Sequence, residues 1–306
     1  MTTLTENKPS YDGKVLDLTG KSGVRAAKNT LATVLIALAF AVAMIPLLWI
    51  LATVISKGYH LLLTADWWTE SQRGITVRRA GGGAYHAIMG TLIMALITAV
   101  IAVPIAVLGA VYLVEYGKGT RAARVVSFMI DILTGVPSIV AALFVYAVWI
   151  TVFGFNRVGF AVSLSLVLLM LPVVLRSTEE MLKLVPDELR EASYALGVPK
   201  WKTILKVVVP TAFGGIVTGV MLGLARVMGE TAPLLILVGY SKSINLNPFD
   251  GFMAALPTMI NQDRTELALP NAADRVWAAA LTLILLVLAL NLLARVIARF
   301  SAVRSK

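Results

Sequence analysis

No cysteine occurs in this chain, which excludes disulfides and thiolate metal sites. Histidine is almost missing as well. His60 and His86 have no second ligand at metal-binding spacing, so His86 is read as a structural hydrogen-bonding group. Charge is scarce: Asp, Glu, Lys and Arg make up 14% of the residues, against about 25% in soluble domains. No Walker-A pattern is present, so the chain holds no ATPase site of its own. Gly81-Gly82-Gly83 lacks the Lys-Ser or Lys-Thr that a phosphate loop needs and is read as a flexible joint. The net charge is +10, yet no basic stripe alternates with aromatic platforms, which argues against nucleic-acid binding.

What the chain does have is long uncharged runs. Residues 29–56, 80–114, 132–156, 158–175, 207–225 and 276–294 contain no Asp, Glu, Lys or Arg. Each reaches the ~17–25 residues that cross a hydrocarbon core. In lipid such runs form helices, because a lone strand leaves its backbone groups unsatisfied. The pattern predicts an all-α polytopic membrane protein with six transmembrane helices, near 30–55, 85–113, 125–152, 159–175, 207–228 and 276–293. The first run is too long for a signal-peptide core and is read as a retained span. Pro46, Pro104, Pro137 and Pro172 lie inside these runs and are expected to kink them.

Sidedness follows from Lys and Arg. Placing both termini in the cytoplasm puts there Lys118, Arg121 and Arg124, the group from Arg176 to Lys206, and the basic residues of both tails. Cytoplasmic segments then hold more than twice the Lys and Arg of the outer ones. The organisation is a cytoplasmic tail at 1–29, a first span with an outer segment at 30–82, a membrane domain at 83–300 and a cytoplasmic tail at 301–306. Trp67 and Trp68 are expected at the lipid interface, with rings in the apolar belt and N–H groups toward water. Residues 242–275, with a mildly apolar middle at 252–260, read as an outer surface element carrying a short helix. Together with 57–82 they would form a landing area for an external partner, and a plain connecting loop is the rival reading.

A charged insert at about 184–205 stands out between two spans. Val185-Pro186-Asp187-Glu188 places a proline and two acids at a helix start, where free N–H groups and the positive dipole end favour them. Leu189, Ala192, Ser193 and Leu196 share one helical face. Gly197 suits a left-handed helix end, and Val198-Pro199 begins another short turn. The result is a helix–Gly–helix element at the inner membrane face, either a docking knob or an amphipathic surface helix.

This element resembles the coupling motif of ABC importer permeases. That motif is E-A-A, three residues, G, nine residues, then I-x-L-P. Here it reads Glu191-Ala192-Ser193, Gly197, then Val207-Val208-Val209-Pro210, with the spacing kept. Other stretches narrow the resemblance to the PstA-like permeases of phosphate ABC importers. They are 135–140 (GVPSIV), 171–176 (LPVVLR), 185–197 (VPDELREASYALG) and 225–235 (ARVMGETAPLL), within a likeness that covers roughly 30–300. The resemblance implies a MetI-like permease fold and the import of inorganic phosphate. It implies a PstC-like second permease, two copies of a cytoplasmic ATPase that use ATP and Mg, and an extracytoplasmic phosphate-binding protein. It also assigns Glu191, Ala192, Ser193, Gly197 and Pro210 to ATPase coupling. Import of another oxyanion and ion-coupled secondary transport are the competing readings. The second would call for inverted repeats with matched broken helices, and no convincing repeat is visible.

Arg226 is the leading substrate-path residue. A guanidinium late in an apolar helix is costly unless it faces a pore or a partner charge, and it can grip phosphate oxygens with two donors. The alternatives are a local pair with Glu230, one turn on, and a guanidinium that snorkels to the outer surface. The family resemblance favours the first role, with Glu230 orienting the arginine or answering an arginine of the sister subunit. Asp131 is either a surface partner of Arg124 or a gate residue, and Pro137 is grouped with it as a gating candidate.

Overall fold

The computed structural model of the chain describes residues 23–76 and 78–303. Expectations for the tails that rest on Lys8, Lys14, Lys21, Arg304 and Lys306 lie outside the described residues. Every regular element among those described is helical. The elements are α1 (Gly23–Leu62), α2 (Ala65–Thr69), α3 (Tyr85–Val111), α4 (Arg121–Gly135), α5 (Ser138–Val145), α6 (Gly159–Lys183), α7 (Asp187–Ala195), α8 (Lys200–Thr203), α9 (Val209–Met228), α10 (Ala232–Leu237), α11 (Leu256–Asp263) and α12 (Pro270–Val303). The chain divides into two compact units at Thr53/Val54. The first holds the N-terminal part of α1, whose Leu31, Ile36, Phe40 and Trp49 are exposed, as suits a helix facing acyl chains. All other elements belong to the second unit.

Five helical stretches are long and apolar enough to cross a membrane. They are Arg25–Leu62, Tyr85–Tyr116, Gly159–Lys183, Lys200–Met228 and Pro270–Val296. The remaining run is not one rod. Arg121–Gly135 and Ser138–Val152 meet at 107°, so the run expected to form the third span is a sharply bent pair of helices. Val136 and Pro137 are both extended, with ψ of 125° and 142°. A proline disfavours helical geometry in the residue before it and cannot donate the next helical bond. Pro46, Pro104 and Pro172, by contrast, are carried inside continuous helices.

α6 is the central helix of the second unit. Of its most apolar window, 67% is buried, against 28% for the windows in the stretches containing α3, α9 and α12. It packs against α3 on one side and α9 on another. Met170, Val174 and Leu182 of α6 are fully buried. Small residues make the α9 contact close: Gly215, Gly219 and Gly223 recur every fourth position along α9. A Cβ at Gly215 would overlap Met181, and one at Gly219 would overlap Ser177. At Gly223 it would stand 3.0 Å from Val174 Cγ2. Membrane helices use such stripes because lipid supplies no hydrophobic drive, so dispersion across a tight seam must do that job.

Hydroxyls inside the bundle bond to backbone. Thr98 Oγ1 donates to Met94 O at 2.7 Å, and Ser163 Oγ to Gly159 O at 3.2 Å. Three helices contain wider π-turns, at Tyr112–Tyr116, Tyr146–Val152 and Ile204–Val208. The last lies just before Pro210, whose ring would otherwise press on the carbonyl of Lys206.

Residues 57–82 and 242–275 depart from the sequence expectation in three places. Trp67 is fully buried, and its Nε1 donates to Thr282 Oγ1 of α12 at 2.9 Å. A protein hydroxyl thus takes the role expected of interfacial water. Trp68 remains 43% exposed and donates to Leu62 O. The triple glycine is irregular backbone that packs at Gly82 and Gly83 and leaves Gly81 exposed. Gly81 and Gly82 have φ of 96° and 83°, and a Cβ at Gly83 would overlap Asp66 O. The middle of 242–275 is not a surface strip, because Met253 to Met259 are all buried. This segment folds back against α3, where Gly90 leaves room for the Ala254 carbonyl.

Candidate functional site

The insert forms the expected pair of short helices. α7 starts after Pro186 with Asp187 and Glu188 in its first turn. Gly197 has φ of 74°, a left-handed geometry that strains any residue with a Cβ. Ser193 is buried and its Oγ lies 2.8 Å from Thr203 Oγ1. That bond ties α7 to α8 across the glycine. Glu191 and Ala192 are exposed, and so are Leu184, Leu189, Tyr194, Leu196, Trp201 and Leu205. The element therefore presents an apolar surface with a carboxylate beside it. Pro210 sits at the start of α9, directly after the π-turn.

Arg226 occupies the last turn of α9. It lies about 30 Å along a helix axis from Lys206, the thickness of a hydrocarbon core, and so stands toward the opposite end of the span. Its Nε is 3.8 Å from Glu230 Oε1, and the two side chains are 45% and 18% exposed. The carboxylate is near enough to orient the guanidinium without closing a hydrogen bond.

Asp131 does not pair with Arg124. Its Oδ1 accepts from Arg176 Nη2 at 2.5 Å. Arg176 also donates to Glu179 Oε2 at 2.6 Å and to both the carbonyl and hydroxyl oxygens of Ser127. Lys183 joins the chain at Glu179 Oε1, 2.7 Å away. Two carboxylates answer two cations here, and the cluster fastens α4 to α6 beside the break at Pro137.

A second polar network lies on the side of the second unit that carries the Trp67 segment. Asp263 Oδ2 accepts from Gln72 Nε2 at 3.1 Å and from Arg275 Nε at 3.3 Å. Tyr240 donates its hydroxyl to Gln72 Oε1 at 3.0 Å, and His86 Nε2 is 3.3 Å from that hydroxyl. Gln72, His86, Asp263 and Arg275 are buried to within 3% of complete. Burial, with Asp263 nearby, pushes the Tyr240 phenol above its ordinary value, so it stays a donor. The network joins the outer segment, α3, the 238–263 region and α12. Sequence spacing gave no sign of it, apart from the hydrogen-bonding role of His86. Arg176 and Glu179 were likewise overlooked, although an arginine at the end of a proline-bearing apolar run was a usable signal.

Comparison with known proteins places this geometry. Residues 102–304 match the model of the family described as "Binding-protein-dependent transport system inner membrane component". The chain is 57% identical over 284 residues to "Phosphate transport system permease protein PstA 1" of Mycobacterium tuberculosis (strain CDC 1551 / Oshkosh), with 92% of each chain covered. It is 56% identical over 270 residues to "Phosphate transport system permease protein PstA" of Mycobacterium leprae (strain TN), with 88% of each covered. Among solved structures it resembles a chain of a bacterial ABC transporter involved in the import of the acidic polysaccharide alginate. There the TM-score is 0.58 and the identity 16%, over 90% of this chain and 98% of that one, a likeness of fold alone. Such permeases are transport subunits rather than catalytic enzymes, and the apolar helices make this chain a multi-pass membrane protein. Long charge-free runs, a helix–Gly–helix insert and relatives matched along nearly their full length converge: the chain belongs to the PstA family of phosphate transport permeases, among the inner membrane components of binding-protein-dependent transport systems.

Proposed function

We propose that this chain is one of two permease subunits through which inorganic phosphate enters the cytoplasm, driven by ATP hydrolysis in a partner. The observation that carries the reading is the α7–Gly197–α8 element with its exposed apolar surface, in a chain 57% identical to a phosphate permease. The partners are a PstC-like permease beside it in the membrane and two copies of a cytoplasmic ATPase that use ATP and Mg. An extracytoplasmic phosphate-binding protein delivers the cargo. Glu191, Ala192, Ser193, Gly197 and Pro210 shape the contact with the ATPase. Arg226 and Glu230 belong to the substrate path, and Asp131 and Pro137 to its gate. The chain itself binds no cofactor.

The test is uptake of labelled phosphate into liposomes holding the full complex, with and without this chain. Uptake is expected only when the chain, the binding protein and ATP are all present. Uptake that follows an ion gradient and ignores ATP would support secondary transport instead. Uptake in which another oxyanion outcompetes phosphate would move the assignment to that anion.

The orientation with both termini cytoplasmic rests on the excess of Lys and Arg on that side. With no native cysteine, Gly251→Cys gives a single labelling site in the 238–263 region. An impermeant thiol reagent is expected to reach it from outside intact cells. Labelling from the cytoplasmic side alone would reverse the topology.

A further inference from the structure

Glu115 lies in the π-turn that ends the span begun by α3, and it is only 9% exposed. Its Oε1 accepts two bonds from Arg190 of α7: Nε at 3.1 Å and Nη2 at 2.9 Å. The same guanidinium donates to Leu182 O at 3.0 Å and Val185 O at 2.6 Å, carbonyls at the end of α6 and just beyond it. It also meets Asp187 Oδ1 at 3.0 Å. Lys200, which opens α8, arrives from the far side of Gly197. Its Nζ donates to the Glu115 backbone carbonyl and stands 4.8 Å from the Tyr116 ring centre. Both short helices thus hold one residue of a span that is distant in sequence. Among the described residues, every side-chain hydrogen bond from α7 and α8 to this span ends on Glu115. Around these bonds the two parts are separated by a cleft of about 340 Å³, bordered by Val114, Lys118, Lys183 and Tyr194.

We propose that Glu115 is a positioning residue that passes movement of the α7–α8 element to the α3 span; this rests on the permease function proposed above. The span containing α6 follows the element covalently, because only three residues separate Lys183 from Asp187. The α3 span has no such link, so displacement reaches it through contacts across the cleft. A charge-assisted pair is directional and roughly twice as strong as a neutral one, so neutralising the carboxylate weakens the tie. The Arg190 side chain is 12% exposed, so the pair is shielded from salt more than a surface pair is.

The experiment uses the full complex of both permeases, the ATPase and the binding protein in liposomes. Phosphate moved and ATP hydrolysed are measured together, with subunit amounts quantified. Glu115→Gln is nearly isosteric. It is expected to keep subunit stoichiometry and to lower phosphate moved per ATP by about tenfold, the size of a typical coupling free energy between sites. Lys118→Gln removes a charge from the same cleft without touching these bonds and is expected to leave the ratio unchanged. An equal loss in Lys118→Gln would assign the effect to cleft charge and overturn the inference, as would a wild-type ratio in Glu115→Gln. If Glu115→Gln fails to assemble, Arg190→Lys takes its place. It keeps the charge but not the two-bond fork, and the same fall in ratio is expected; a wild-type ratio there overturns the inference. A wild-type complex that does not import phosphate with ATP would defeat the underlying function. Normal wild-type coupling beside an unchanged variant ratio would defeat the role of Glu115 alone.

Discussion

Arg226→Gln is expected to leave the complex assembled and to lower phosphate uptake about ten- to a hundredfold, the cost of losing hydrogen bonds to a charged partner. Phosphate entering a low-dielectric path gives up water, and that loss is severe without an opposing charge. Arg226 is 45% exposed, and its nearest carboxylate stands at 3.8 Å, so its donors remain available to an anion. On the proposed reading, Glu230 would keep the site from binding too tightly, which transport requires because cargo must also leave. Arg226→Lys is expected to recover part of the uptake, since it restores charge without the planar fork. Uptake is to be measured with the amount of each subunit determined alongside. Full uptake by Arg226→Gln would reduce the arginine to a local partner of Glu230, and so would a loss explained wholly by failed assembly.

Asp263→Ala is expected to be the most destabilising of the substitutions considered, at about 3–5 kcal/mol. It removes the carboxylate facing Arg275, whose side chain is 4% exposed, and withdraws the acceptor used by Gln72. A buried guanidinium that loses its counter-charge keeps its desolvation penalty and loses the attraction that offset it. The double replacement Asp263→Leu with Arg275→Met removes both charges and is expected to restore much of the loss. Thermal denaturation of the purified protein in one detergent compares the three forms. A single variant as stable as the parent would show that the network contributes little net energy.

The spans were legible because crossing a bilayer imposes a length and forbids charge, and both conditions are written in consecutive residues. The two short helices around Gly197 were legible for a related reason: proline, paired acids and glycine act on their own backbone. The 107° break was only half visible. Pro137 marked where a kink would fall, but its size depends on Val136 also being extended and on what α4 and α5 pack against. Trp67 misled because its chemistry suits an interface equally well, and only tertiary packing brings Thr282 to its N–H. Gln72, Tyr240 and Asp263 were invisible as a group. They come from segments far apart in the chain, and periodicity reports only neighbours on one element. Glu115 was hidden among the basic residues of a short connection, where a lone acid reads as solvated charge.

The π-turn at Ile204–Val208 has a consequence for how chain length may vary in this protein. Such a turn holds one residue more than the ordinary helical repeat, so removing a residue there could leave a continuous helix with all its backbone bonds. Local folding would register no fault. Everything on the N-terminal side would also keep nearly its place, because the wide turn covers about the same angle and rise as four residues of ordinary helix, roughly 400° and 6 Å, so α7 and α8 would still face Glu115. The wide turn is thus a place where the chain can lose a residue with little effect, whereas a deletion in the regular turns of α9 would rotate α7 and α8 by about 100° and shift them by about 1.5 Å relative to the rest of the span.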